Sequence, residues 1–186
     1  MEGGSPTSSL LEKNSTSLDS YAKNSLNFQV EKYRNSFFLA FFFLGVFNNN
    51  GYVLVQAGSS SLADTFDKKD FMGIFQFAMT TFSFLTRYVN GTLLVNIRHM
   101  KRFTMVVILA IIAFLLISLA SFKGDNKEES FFYVAIFASI LIGISSSMGE
   151  ATFLGYCNGF PSHVVGFVSS GTGCAGLTGT GTLLLL

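Results

Sequence analysis

The sequence predicts an all-α integral membrane protein with about five transmembrane helices. Hydrophobic residues make up 49% of the 186-residue chain and charged residues 12%, about half the charged share of a soluble domain. Mean hydropathy is +0.49, and 22 residues are Phe. The apolar residues gather in long runs between short charged segments, each run long enough to cross ~30 Å of hydrocarbon as a helix. A net charge of +1 and the lack of a basic patch with interleaved aromatics argue against a nucleic-acid partner. The surroundings to expect are a lipid bilayer.

Residues 1–35 form a separate region, rich in Ser and Asn and poor in apolar residues, and are expected to be a disordered tail. The tail lacks the apolar core of a signal peptide. Glu2 stands where a myristoylation signal needs Gly. Residues 36–186 form the membrane domain. Its first span covers about residues 37–57, with Lys32, Tyr33 and Arg34 as interfacial anchors before it. Asn48, Asn49 and Asn50 near its middle need hydrogen-bond partners and must avoid lipid. Two readings stand: interhelical glue, or the polar lining of a substrate pathway.

A loop from Ser59 to Asp70 leads to the second span, about 71–95, whose one charge is Arg87. Arg87 either snorkels to the interface or turns inward to Glu150. The following segment, Asn96 to Arg102, is the most basic loop in the chain, so the positive-inside rule puts it in the cytosol. The third span is about 103–122, the fourth 131–157 and the fifth 163–186. Counting back two crossings places the N-terminus in the cytosol as well.

Glu150 lies in a stretch without another charge from Phe131 to Cys157. An intramembrane carboxylate is costly and usually functional. Beyond the Pro161 turn come Ser169, Ser170, Gly171, Thr172 and Gly173, a segment of very small side chains. The fourth and fifth spans therefore read as facing walls of one polar site. Gly171, Ala175 and Gly179 recur every four residues and give one smooth helix face for close packing. Gly171 to Gly176 also fits G-x-G-x-x-G literally, but that fingerprint needs a preceding strand and an acidic residue about 20 positions on, and neither is present. No cofactor is implied. His99 and His163 read as interfacial polar residues, and Cys157 and Cys174 as small core residues. No metal cluster, nucleophile–base pair or other catalytic constellation can be built from them, so an enzyme is not expected.

Three segments resemble one family, the battenins, which are membrane proteins of lysosomes and vacuoles. They are Phe43-Leu44-Gly45-Val46-Phe47-Asn48-Asn49 with Tyr52-Val53, then Ile144 to Leu154 with Glu150 included, and Ser169 to Leu177. The spacing of Arg87 and Arg102 fits too. Gln56-Ala57-Gly58 and Asn50 depart from the family pattern. The resemblance implies a major-facilitator-like helical bundle in an endolysosomal or vacuolar membrane, exporting basic amino acids or glycerophosphodiesters and linked to lysosomal pH. It also implies proteins about twice this length, so that this chain would be the incomplete N-terminal half. On that reading Glu150, Arg87, Asn48, Asn49, Ser169, Ser170, Gly171, Thr172 and Gly173 line a path for a small solute and for protons. The alternatives are a non-transporting scaffold or trafficking factor whose small-residue faces bind partner membrane helices, or an inactive fragment.

Overall fold

Inside hydrocarbon a backbone can satisfy its polar groups only within itself, and long uncharged runs without internal proline meet that demand as helices. The computed structural model describes residues 20–94, 97–124 and 129–185, and within them the long uncharged runs are helical, joined by short turns. Helix α1 occupies residues 20–32. It is followed by α2 (Arg34–Thr65), a 3-10 turn (Lys69–Phe71), α3 (Met72–Thr92), α4 (His99–Gly124), α5 (Glu129–Cys157) and α6 (Ser162–Leu185). Among the described residues there is no strand. Pro161 stands immediately before α6, where its missing N–H costs nothing.

Three helices, α2, α4 and α5, are long and apolar enough to cross a membrane. Helices α3 and α6 have 21 and 24 residues, enough length for the same task. Their Ser, Thr, Gly and Gln content keeps them below the hydropathy of the other three. The fold is an all-α membrane bundle.

Two expectations need correction. Residues 59–65, read as loop, continue α2. Leu62 and Ala63 bury there with Phe66, Phe75, Ala120, Phe132 and Ala135. The Ser59 and Thr65 hydroxyls donate to the carbonyls of Gln56 and Ser61 about one turn back. The chain turns only past Thr65, at Asp67, whose φ of 57° an aspartate tolerates better than most residues. Residues 20–32, read as disordered tail, are helix α1. The polar composition concealed a pair at helical spacing, Leu26 and Val30. Val30 is fully buried with Phe41, Phe153, Cys157, Val164 and Val168. Residues 1–19 of the expected tail lie outside the described residues.

Helix α5 is the hub, with α3, α4 and α2 packed around it, while α6 packs chiefly on α2. Residue pairings give the directions. Phe75 meets Phe132 and Arg87 meets Glu150, so α3 runs parallel to α5. Phe103 stacks on Phe153 while Ala120 clusters with Ala135, so α4 is antiparallel to α5. Phe41 lies near Tyr156 and Val55 near Ile142, which makes α2 antiparallel to α5. Gly171 abuts Phe42 and Gly179 abuts Val53, so α6 runs parallel to α2. All of this fits a chain that reverses at every turn.

The smooth face of α6 is used as its spacing suggests: Gly171, Ala175 and Gly179 are all buried. Its partner is α2, however, and not α5. Carbonyls of Phe42 and Val168 occupy the places where side chains on Gly171 and Gly45 would begin. The contact is thus backbone on backbone, and α5 and α6 are not facing walls. Phenylalanines spaced along α2 reach Phe160, Tyr156 and Phe167 and fill the end where α2 begins.

This packing predicts a contrast between neighbouring glycines. Gly171→Leu should lower unfolding free energy by about 1–3 kcal/mol or more through overpacking. Gly173→Leu, which points into open space, should shift it by less than ~0.5 kcal/mol. Denaturation of the purified chain in detergent measures both.

Candidate functional site

The site begins with a close crossing of α3 and α5. The Ser83 hydroxyl donates to the Gly143 carbonyl at 2.9 Å in a buried contact. A side chain on Gly143 would start 2.5 Å from the Met79 carbonyl oxygen, so only glycine lets the helices approach this closely. One turn further along α3, Arg87 Nη2 donates to Glu150 Oε2 at 2.5 Å. Three residues on, Asn90 Oδ1 accepts from Arg102 Nη2 of α4 at 2.5 Å. Ser83, Arg87 and Asn90 occupy one face of α3 at helical spacing and form successive cross-helix rungs. Of the two readings of Arg87, the inward pairing is the one observed.

Helix α2 closes the site from the other side. Asn48 Nδ2 donates to the Ser146 carbonyl at 3.0 Å, and its amide oxygen fills the place a side chain on Gly149 would take. Asn49 Nδ2 reaches the Thr172 carbonyl at 3.4 Å, and the Ser146 hydroxyl reaches Asn49 Oδ1 at 3.5 Å. Tyr52 OH and Thr80 Oγ1 lie 3.4 Å apart. Together α2, α3 and α5 enclose a cleft of about 380 Å³ lined by Asn49, Tyr52, Thr80, Ser83, Phe84, Arg87, Ser146, Ser147 and Glu150. The Glu150 side chain is 35% exposed and that of Arg87 59%, so both ends of the ion pair reach the open cleft. On the opposite side of the α2–α5 contact is an apolar groove of about 320 Å³, lined mainly by α2 and α4.

The structure brings Glu150, Arg87 and Asn49 together in the cleft and sets Asn48 beside it as a strut. Thr172 contributes only its carbonyl, and Gly171 is packing. Ser169, Ser170 and Gly173 do not line this cleft. They sit on the exposed side of α6, where the Ser170 hydroxyl bonds back to the Gly166 carbonyl. The G-x-G-x-x-G match lies wholly inside α6. Sequence reasoning did not single out Tyr52, Thr80, Ser83, Ser146 and Ser147 as lining, or the Asn90–Arg102 pair. For α3 the signal was present in the spacing of positions 83, 87 and 90. Chemically, one cleft holds a carboxylate, a guanidinium, hydroxyls and a carboxamide supplied by three different helices.

The segments that build this site coincide with a known family. The model for the CLN3 protein family matches residues 39–186. The chain belongs to the CLN3 family. Battenin of Dictyostelium discoideum is 31% identical over 142 residues, covering 76% of this chain and 32% of that protein. Protein BTN1 of Chaetomium globosum is 30% identical over 148 residues, covering 80% and 30%. Protein BTN1 of Yarrowia lipolytica is 28% identical over 149 residues, covering 80% and 35%. The matched part of the chain therefore spans about a third of the length of the curated relatives. No solved structure matches it significantly. All three CLN3-like segments lie on helix contacts of the bundle: the first on α2, the second on α5 around Glu150, the third on α6 against α2.

The ion pair predicts energetic coupling. In a double-mutant cycle of Arg87→Gln and Glu150→Gln, the double variant should cost less than the sum of the singles. The expected coupling is about 0.5–1 kcal/mol, the range for interhelical bonds in double-mutant cycles and for partly exposed ion pairs. Unfolding in detergent supplies the numbers.

Proposed function

We propose that this CLN3-family chain forms the N-terminal part of a solute transporter, with the α2–α3–α5 cleft as part of the solute path. The observation that carries the proposal is the Arg87–Glu150 pair opening into a cleft otherwise lined by hydroxyls and an amide. Paired charges inside a membrane bundle commonly mark solute or ion pathways. On this reading α3 and α6 cross the bilayer with the other three helices, giving five spans of a major-facilitator-like fold.

The proposed solutes are basic amino acids or glycerophosphodiesters, and the proposed site of action is the lysosomal or vacuolar membrane, with a link to lysosomal pH. A solute cation would take Glu150 and a solute anion Arg87, each replacing one internal partner by another. Proton uptake by Glu150 would release Arg87 in the same way and tie transport to pH. The N-terminus is proposed to be cytosolic. In support, Lys23, Lys32 and Arg34 gather at the same end of the bundle as Arg98, Lys101 and Arg102, as the positive-inside rule favours.

A second reading, a membrane scaffold or trafficking factor, draws on the outer side of α6. Gly166, Gly173, Gly176 and Gly181 have nothing within 4 Å of a would-be side chain, and such a face suits a partner membrane helix. Solute flux into proteoliposomes carrying the complete, full-length protein separates the readings. For a transporter, Glu150→Gln should cut flux at least about tenfold, as loss of a ~1.4 kcal/mol interaction would, and flatten its pH dependence. Unchanged flux and unchanged pH dependence would remove Glu150 from the mechanism, and no flux from a correctly folded complete protein would favour the scaffold.

A further inference from the structure

Among the described residues, Arg102 is a buried cation without a counter-charge. Its side chain lies in the first turn of α4 and the residue is 5% exposed. Its one hydrogen bond goes to Asn90, itself 3% exposed and electrically neutral. Its Nε is buried with no partner. A guanidinium held in this way has given up water and gained no charge in return, which is costly.

The surroundings deepen the imbalance. Helix α4 has 26 residues and no acidic residue in its first turn, so its N-terminal N–H groups and dipole add positive potential. Arg98 and Lys101 stand beside Arg102 with exposed side chains. The acidic groups among the described residues are committed elsewhere. Glu31 lies by Arg34, Asp64 by Lys69, Glu129 by Lys68 and Glu150 by Arg87. Asp67 and Asp70 belong to the α2–α3 turn at the opposite end of the bundle. Among the described residues no carboxylate is left to face Arg102. Residues 103–122 are uncharged, so the first turn of α4 lies where hydrocarbon gives way to headgroups.

We propose that the first turn of α4 is a binding site for the phosphate of an anionic phospholipid. Arg102, fixed by Asn90, forms its floor, and Arg98 and Lys101 form its arms. The same chemistry would accept a free phosphate ion, but the site's place at the hydrocarbon edge favours the lipid. This assignment is independent of transport through the Glu150 cleft.

The test uses the purified full chain in uncharged detergent, with bound molecules counted by native mass spectrometry. Short-chain phosphatidylserine, phosphatidylcholine and inorganic phosphate are titrated in separate arms. Phosphatidylserine should bind at least about tenfold more tightly than phosphatidylcholine, and Arg98→Gln with Lys101→Gln should weaken it about thirtyfold, or about fivefold for each basic residue near an anionic surface. Lys68→Gln with Lys69→Gln, at the other end of the bundle, should leave it unchanged. Arg102→Gln also breaks the Asn90 bond, so the surface pair is the deciding variant. Equal binding of the two lipids overturns the proposal, and so does equal loss in both lysine-containing pairs. Inorganic phosphate binding as tightly as phosphatidylserine overturns the lipid assignment in favour of a soluble anion.

Discussion

The rest of this structure depends on one constraint: a polar side chain in a membrane bundle must find its partner inside the protein, on its own helix or on a neighbouring one. Water is absent there and lipid offers nothing in exchange. Helix α5 satisfies that constraint for most of the bundle. Its carbonyls at Gly143 and Ser146 take up Ser83 and Asn48, its Glu150 takes up Arg87, and its Ser145 hydroxyl bonds to the Val106 carbonyl of α4. Each of these bonds also holds a neighbouring helix at a fixed height. Polar satisfaction and helix register are thus one set of contacts.

The two faces of α2 solve different problems. Toward α6 it approaches backbone to backbone through Gly45 and Gly171, gaining dispersion contacts along a smooth seam. Toward α5 it projects Asn48 and Asn49, which bond across the gap. The first contact is tight and short-ranged, the second directional. A cleft opens beside the directional one because amide side chains hold helices apart where glycines would bring them together.

Much of this could be read from the residues. The five long helices, the single carboxylate within a span and the small face of α6 follow from composition and spacing, and the family from three segments that resemble it. The inward turn of Arg87 was one of two readings that spacing alone could not separate. What could not be read was which helix meets which. Glu150 and the 169–173 segment are close in sequence and similar in composition, yet α2 lies between most of α6 and α5, because two facing glycines allow a closer fit than any pair on α5 and α6. Helix α1 escaped notice for a related reason. Leu26 and Val30 are too few to stand out in a polar segment, and their burial depends on Phe160 and Val164 more than 130 residues away.

The glycines at the closest crossings carry a consequence for inheritance. Any single-base change that turns a glycine codon into another amino acid adds at least a β-carbon. At Gly45, Gly143, Gly149 and Gly171 that carbon falls on a carbonyl oxygen of the facing helix, from backbone in three cases and from the Asn48 amide in the fourth. Every missense allele at these codons is thus a packing defect, whatever the chemistry of the new residue. Codons for the charged pair are more forgiving to the fold, since a neutral side chain of similar shape still fits there. These four glycines are where this protein has least room for variation.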